Sequence, residues 1–519
     1  MRLADSAGLR RSYLAFNAAL GSLYENDLLQ LADATDKPDF DDTAFFDAAG
    51  MVYNAGSFDA SMLSTPEARH LIAETLSQIK RGIDAGVPHE VPEVVRHALE
   101  NNAFIFSGFK AFHTLREVGL SLLTDKGDIK PFETFRRDVE AVNNRYNHNY
   151  LYAEYNHAVG SSLMAARWQQ IEADGDRYDL QYRTAQDDRV REDHAILHGT
   201  TLPPSDPFWS LYLPPNGWNC RCTAVQVRKG KYPLSDPALS MLRGNNCTEA
   251  AKQQIFRFNP GKDLQLFPPK HPYYKAPEAA KQVIEQMSEE QKREQRIADI
   301  IAELPDSLTE TEKKAVATHC LEIEKALGIT KGKPMSVDDA DKQHANPNYG
   351  KGPGYRINCQ TCSPAYALRL LGFNVTAKSN TPGTKLEYLS KGNQLWEQWL
   401  NLDGTQAKHT SINDWLAAHK YQRMTPKRYI QFFEETCKET GVYMLSIGWK
   451  RGGGHATILQ RFADGSLRYI EPQVDNSGGS GRDLDNLSKN GAATMHGCRG
   501  IMRVDNKLFN VAFAEIFDK

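Results

Sequence analysis

The sequence lacks long apolar runs and an excess of positive charge. No stretch reaches the roughly 18 uncharged apolar residues of a membrane-spanning helix, so we expect no membrane segment. The 519 residues carry 62 Lys and Arg against 65 Asp and Glu, a formal charge of -3. This balance excludes a chain-wide basic surface that could collect phosphates. We therefore expect no sequence-specific binding of nucleic acid.

The N-terminal residues also lack the core of a signal peptide. Three arginines fall within the first 11 residues, but the apolar segment at 13–24 is interrupted by Asn17, Gly21 and Ser22. This pattern favours an amphipathic helix over a secretion signal. We therefore expect the protein to be made in the cytoplasm and not to follow a general secretion route.

The remaining composition is that of a multidomain globular protein. Hydrophobic residues make up 40% of the chain and aromatic residues 10%, which is enough to build cores. At roughly 150 residues per domain, the length suggests three or four domains. Helical periodicity dominates to about residue 175, as in 134–171. After residue 336 we predict an α+β domain with helices at 364–371 and 425–440 and antiparallel strands at 442–449, 455–462 and 466–471.

Cysteine is sparse and unevenly spaced. Of the eight cysteines, four form two tight pairs, C-x-C at Cys220 and Cys222 and C-x-x-C at Cys359 and Cys362. An even disulfide framework is not indicated. Without an export signal, such pairs indicate metal binding or catalysis more than disulfides.

The first pair lies about 20 residues after two histidines. His194 and His198 are four residues apart, so on a helix they would share a face. Together with Cys220 and Cys222 they could supply the four ligands of a structural zinc ion. The alternative is that the histidines pack in a polar core while the reduced cysteines lie beneath Trp218.

The same region resembles a known family. TAQDDRVREDHAILHG, followed by PPNGWNCRC, is similar to the head-morphogenesis domain of phage Mu F-type minor head proteins, and the similarity extends over about 60–275. The resemblance implies a mostly helical structural module in the virion head, near the portal, with portal and capsid or procapsid proteins as partners. It implies no enzymatic activity for this part and leaves metal binding open.

Other candidate residues lie between 336 and 519. A thiol hydrolase needs a thiolate, a base and a group that orients the base. Cys359 and Cys362 precede Ser363 and Pro364, which together are typical of a helix start. A helix N-terminus favours a thiolate and offers N–H groups to an oxyanion. Either cysteine could be the nucleophile.

The candidate base and its partner lie on a predicted hairpin. His455 follows three glycines and begins a strand. If 463–465 is a three-residue loop with Gly465 in the left-handed conformation, His455 lies opposite Gln473. Glu471 is then diagonal to His455, at about 7–8 Å, within reach of a long side chain. A two-residue loop would turn Glu471 to the other face.

These motifs together resemble a second family. NPNY, NCQTC with AYALRLLGFNVTA behind it, GGHA and EPQ are similar to the papain-fold toxin domains of bacterial polymorphic toxins, some of which resemble glutamine deamidases. The resemblance covers about 335–515. It implies a cysteine of NCQTC as nucleophile, His455 as base, Glu471 as orienting acid and Gln473 as support, with no cofactor for catalysis. Glu471 stands where an aspartate is frequent in such enzymes.

The residues alone leave open which of the two cysteines is the nucleophile. The Asn-Cys pair of the family motif favours Cys359, while the helix-start argument and the C-x-x-C of papain favour Cys362. We favour Cys359.

The sequence thus predicts a multidomain protein. An N-terminal helical segment (1–60) precedes a mostly helical head module (60–275), a helical linker (276–335) and a papain-like α+β domain (336–519). The expected function is that of a virion head protein carrying a cysteine hydrolase that deamidates glutamine side chains of a host protein. The alternatives are a cysteine peptidase of head maturation, a transglutaminase, and a structural head protein with an inactive enzyme-like domain.

Overall fold

The computed structural model describes residues 3–28, 37–87, 91–124, 128–392, 394–474, 484–492 and 499–519. The chain forms two compact units, which divide between Lys292 and Arg293. Among the described residues, no helix combines the length and the apolar character needed to cross a membrane.

The first unit is mostly helical, as predicted. Its helices are α1 (Leu3–Leu28), α2 (Asp42–Ala55), α3 (Pro66–Gly86), α4 (Glu93–Leu120), α5 (Phe132–Asn143), α6 (Leu151–Asp174), α7 (Glu192–Ala195), α8 (Phe208–Tyr212), α9 (Pro237–Cys247), α10 (Ala251–Gln254), α11 (Pro260–Asp263) and most of α12 (Glu278–Glu303). A π-helical turn, Asn144–Tyr150, joins α5 to α6.

Helix starts and close helix contacts in this unit follow from single residues. Thr65 caps α3 by accepting a hydrogen bond from the backbone N–H of Ala68, and Pro66 occupies the first turn. At the other end of α3, a Cβ on Gly86 would clash with the carbonyl oxygen of Val159 on α6. Glycine therefore allows α3 and α6 to pack closely, and both helices contribute to one large apolar core.

A small sheet follows α6. Its strands are β1 (Tyr178–Arg183), β2 (Thr201–Leu202) and β3 (Thr223–Arg228), which are antiparallel in the order β2-β1-β3. Large aromatic side chains fill a separate core beside it, among them Trp168, Trp209 and Tyr212. The sequence analysis does not predict this sheet, whose strands are separated by long irregular segments.

The second unit contains seven further helices and ten strands in the described residues. The helices are α13 (Glu310–Leu327), α14 (Val337–Lys342), α15 (Cys359–Leu370), α16 (Lys385–Leu389), α17 (Ile412–Ala418), α18 (Pro426–Thr436) and α19 (Leu484–Asn490). The strands are β4 (Thr376–Ala377), β5 (Trp399–Leu400), β6 (Thr410–Ser411), β7 (Gly441–Trp449), β8 (Gly454–Arg461), β9 (Leu467–Ile470), β10 (Gly491–Ala492), β11 (Gly500–Arg503), β12 (Leu508–Phe509) and β13 (Phe517–Asp518).

An antiparallel sheet organises this unit, as predicted. Its order is β6-β11-β7-β8-β9, with β10 pairing to β7. Alternate residues of the strands enter different apolar cores: Ile458 and Ile470 lie in one, Leu459 and Tyr469 in the other. This alternation is the period of two of a strand that is covered on both faces. The unit is therefore α+β.

The predicted linker at 276–335 is helical but does not behave as a solvated connection. From Arg293 onward its residues belong to the second unit. Buried side chains on α13 recur at helical spacing and join the core of that unit: Val316, Cys320, Ile323 and Leu327. The boundary thus falls inside α12, and the high charge of this helix does not mark a separate linker.

Candidate active site

The helix that carries both candidate cysteines begins earlier than predicted. α15 starts at Cys359, so the assignment of Ser363 as N-cap and Pro364 as the first helical residue is wrong. A proline inside a helix leaves the carbonyl four residues earlier without its N–H donor. Here that carbonyl belongs to Gln360, and the buried side chain of Gln398 donates to it at 3.0 Å from Nε2. A distant residue thus replaces the missing hydrogen bond.

The two cysteines have different environments. Cys359 is the first residue of the helix and is partly exposed. Cys362, one turn later, is fully buried, and its Sγ donates to the backbone oxygen of Asn358 at 3.2 Å. Burial raises the pKa of the Cys362 thiol well above its usual value. The geometry therefore favours Cys359 as the reactive thiol.

The predicted hairpin register is confirmed. Leu459 pairs with Tyr469, and Gly465 has a φ of 81°, as the three-residue loop requires. This register brings Nε2 of His455 within 2.7 Å of Oε2 of Glu471, with both side chains buried. The predicted base and acid therefore meet.

Three donors hold the carboxylate of Glu471. Besides His455, the hydroxyl of Tyr469 donates to Oε2 at 2.6 Å, and the backbone N–H of Gln473 donates to Oε1 at 3.0 Å. Burial favours the neutral acid, but the charge of His455 and these hydrogen bonds lower the pKa of Glu471. Glu471 is thus an ionised and fixed partner.

His455 contacts the acid directly and interacts electrostatically with the thiol of Cys359. Burial opposes the imidazolium form, but the charge of Glu471 and hydrogen bonds to Cys359 and Glu471 raise the pKa of His455 to about 10. Because Nε2 is taken by Glu471, Nδ1 is the nitrogen left for the sulfur. Trp449 stacks on the imidazole with ring centroids 5.4 Å apart and restricts its rotation.

A buried amide network supports the site. The side chain of Gln473 donates to Oδ1 of Asn358, the residue before Cys359, at 3.2 Å. Asn346 donates to the same oxygen at 3.2 Å and to the backbone oxygen of Gln473 at 3.1 Å. The network joins the start of α15 to the segment after β9. Gln473 therefore contacts the cysteine-bearing turn, and its supporting role in catalysis stays a prediction.

Sequence reasoning gave no role to several of these contributors. Tyr469 lies two residues before Glu471, and strand periodicity could have placed it on the same face. Trp449 and Gln398 carry no local signal that connects them to the site.

The histidine–cysteine cluster of the first unit is formed only in part as predicted. Nδ1 of His194 lies 3.5 Å from Sγ of Cys220 and 3.7 Å from Sγ of Cys222. His198 does not join them, because α7 ends at Ala195 and the four-residue spacing is no longer helical. Its Nδ1 instead accepts a hydrogen bond from the backbone N–H of Thr184 at 3.2 Å. The prediction of His198 as a ligand is therefore wrong.

Comparison with known proteins assigns part of the first unit. Residues 130–225 match the family of Phage Mu protein F like proteins. The chain is 41% identical over 69 residues to the putative capsid assembly protein F of Escherichia phage Mu, which covers 13% of this chain and 16% of that protein. It is also 38% identical over 85 residues to the Mu-like prophage FluMu F protein of Haemophilus influenzae. This match covers 15% of this chain and 20% of the Haemophilus protein.

The extent of these matches defines what they establish. The chain spans a fifth or less of the length of the curated relatives it matches. No solved structure matches it. The chain thus carries a Phage Mu F-like domain at 130–225, a narrower segment than the 60–275 predicted from the motifs.

Proposed function

We propose that this protein takes part in head morphogenesis of a Mu-like phage or prophage and carries a papain-like cysteine hydrolase in its second unit. The proposed role in head morphogenesis rests on the F-like domain at 130–225 and on a relative named as a capsid assembly protein. By this proposal the partners of the first unit are portal and capsid proteins, and the protein resides in the virion head.

One observation carries the enzymatic half of the proposal. The buried imidazole of His455 is hydrogen-bonded to the buried carboxylate of Glu471, and its pKa is raised by that carboxylate and by the partly exposed thiol of Cys359. This order of nucleophile, base and orienting acid is that of a thiol hydrolase. The imidazole has a raised pKa, so it can hold the proton that the thiol releases.

The reaction proposed is hydrolysis of a glutamine side-chain amide. The thiolate of Cys359 attacks the amide carbon, and the carbonyl oxygen becomes an oxyanion. Backbone N–H groups in the first turn of a helix lack intrahelical acceptors, so those of Cys359 and Gln360 can donate to this oxyanion.

The intermediate then collapses. The carbon–nitrogen bond breaks, His455 gives its proton to the leaving nitrogen, and ammonia departs to leave a thioester on Cys359. A water molecule gives a proton to His455 and attacks the thioester carbon. The carbon–sulfur bond breaks, which yields glutamate and restores the thiolate and imidazolium. The preference for a glutamine side chain of a host protein rests on the resemblance to deamidating toxin domains.

A direct test uses the full chain and host lysate. Purified protein is incubated with lysate, and peptides are analysed by mass spectrometry for conversion of glutamine to glutamate. We expect conversion with the wild type and with Cys362→Ala, and none with Cys359→Ala or His455→Ala. The Cys362 variant is the matched control, since it removes the neighbouring thiol from the same helix.

Other products would assign a different reaction. New peptide termini would identify a peptidase, and glutamine-linked amines would identify a transglutaminase. No modification of any kind by folded protein would favour the structural alternative with an inactive domain.

The head assignment has a separate test. Mass spectrometry of purified virions should detect peptides from both units in each preparation. Absence of the protein from infectious particles would overturn its placement in the head, and would leave the hydrolase test unaffected.

A further inference from the structure

We infer that the first unit contains a structural zinc site formed by His194, Cys220, Cys222 and Cys247. Three of these residues converge in the structure, and the fourth, Cys247, replaces the His198 that the sequence spacing suggests. The inference concerns the F-like domain and its surroundings, and is independent of the hydrolase.

The geometry of the first three donors fits a tetrahedral ion. The ligand atoms of His194, Cys220 and Cys222 all lie within 4.8 Å of one another. Zinc–sulfur bonds of about 2.3 Å and zinc–nitrogen bonds of about 2.0–2.1 Å place sulfur and nitrogen ligands about 3.6 Å apart in a tetrahedron. The observed separations from Nδ1 of His194 are 3.5 and 3.7 Å. Little rearrangement is therefore needed to bind an ion.

Cys247 supplies the fourth donor. It is the last residue of α9 and is fully buried. Its sulfur lies within 4.8 Å of ligand atoms of both His194 and Asp193, a group separate from that of His194, Cys220 and Cys222. His194 is common to both groups, so the Cys247 side chain has to move toward Cys220 and Cys222 to complete a tetrahedron. Asp193 is less suited to the ion, because its Oδ1 accepts from the backbone N–H of His194 at 2.9 Å and its Oδ2 accepts from Gln253 at 3.0 Å. A thiolate is also the softer ligand, which zinc accepts readily.

A nearby cation balances the charge of such a site. Three thiolates and a neutral imidazole around Zn²⁺ leave one net negative charge. The guanidinium of Arg191 lies beside the cluster, donates to the backbone oxygen of Trp218, and has Nη1 3.5 Å from Nε2 of His194. A buried anionic site is stabilised by a fixed positive group of this kind.

The surrounding fold gives the ion a structural role. Of the regular elements beside the cluster, β2 has two residues, α7 has four and α8 has five. The ligands come from three separate segments, namely α7, the loop before β3 and the end of α9. Metal ligation can fix segments that short regular elements hold only weakly. The described cysteines here are free thiols, so no disulfide performs this function.

The test measures zinc in the purified full-length protein by elemental mass spectrometry. We expect about one zinc per chain, the content of a mononuclear site. The variants Cys220→Ser and Cys247→Ser should lose most of the metal. Two matched controls, Asp193→Asn and His198→Ala, should retain it, since each alters a neighbouring group outside the proposed ligand set.

A second measurement protects the test against variants that fail to fold. Cobalt-substituted wild-type protein should show the thiolate-to-cobalt charge-transfer and tetrahedral visible bands, and chelation should abolish both and lower the melting temperature. Folded wild-type protein that takes up neither zinc nor cobalt, or that contains a Cys220–Cys222 disulfide as isolated, would overturn the inference. Retention by Cys247→Ser with loss by Asp193→Asn would overturn the assignment of the fourth ligand.

Discussion

Replacing Glu471 with glutamine tests whether this carboxylate holds His455 in its charged form. The substitution keeps the size of the side chain and removes one negative charge. In the native site Oε2 of Glu471 lies 2.7 Å from Nε2 of His455, and both groups are buried. The loss should therefore fall on the imidazolium and, under the proposed function, on the reactivity of the Cys359 thiol.

The magnitude follows from the hydrogen bond that is removed. A hydrogen bond to a charged group contributes about 1.5–3 kcal/mol. Since about 1.4 kcal/mol corresponds to one pKa unit or a tenfold change, the pKa of His455 should fall by about one to two units. That takes it from about 10 to a value nearer that of free histidine. The equilibrium constant for transfer of a proton from the Cys359 thiol to His455 should fall by about 10- to 150-fold.

The assay is the rate at which iodoacetamide alkylates Cys359, followed by peptide mass spectrometry across a range of pH. Alkylation requires the thiolate, so the rate reports the population of the pair without any known substrate. We expect a slower rate near neutral pH in Glu471→Gln. Glu471→Asp is the matched control, because it retains the charge one methylene further back and should react at an intermediate rate.

The sign of the pH dependence is fixed by the raised pKa of His455. Stabilisation of the charged imidazole is fully present below about 6.5, the ordinary pKa of histidine, and is lost as the pH rises through about 10. The difference in unfolding free energy between wild type and Glu471→Gln should therefore shrink across this window. An unchanged alkylation rate in Glu471→Gln, with an unchanged pH profile, would refute the proposed coupling.

Three further predictions concern local features of the two units. Iodoacetamide at neutral pH should label Cys359 and leave Cys362 unmodified in folded protein, because burial raises the pKa of the latter; earlier labelling of Cys362 on peptide mapping would contradict the site. Gly465→Ala should destabilise the second unit by about 1 kcal/mol in chemical denaturation, since the φ of Gly465 is 81°. The control is Gly50→Ala within α2, where the added Cβ has open space around it and the substitution should be neutral or stabilising. Lys110→Met should lower the free energy of unfolding by about 3–5 kcal/mol, because it leaves Glu154 buried without its cation. The double variant Lys110→Met, Glu154→Gln should recover much of this loss. Equal destabilisation by the single and the double variant would contradict this account.

Local sequence rules were sufficient to predict that the candidate base and acid lie next to each other. The turn at Gly465 joins β8 directly to β9, so the loop length alone sets which residues face each other. His455 and Glu471 meet as a consequence of that register. The same holds for the amphipathic helices, whose core-facing residues recur at the helical period.

The choice between Cys359 and Cys362 depended on tertiary structure. Pro364 predicts a helix that starts after both cysteines, and this prediction fails because Gln398 donates to the carbonyl that the proline leaves unpaired. The two glutamines concerned are 38 residues apart in the chain. No local pattern at NCQTC indicates such a partner.

The histidine–cysteine cluster shows the same limit. The C-x-C pair and His194 were visible in the sequence, but α7 ends too early for His198 to follow. Cys247, at the end of α9, comes close to His194 although it lies about 50 residues away in the chain. The sequence by itself determined the residue types, the helical periodicity and the hairpin register, because these depend on neighbours in the chain. The tertiary structure decided which cysteine is accessible and which donors converge, because these depend on contacts between segments that packing alone brings together.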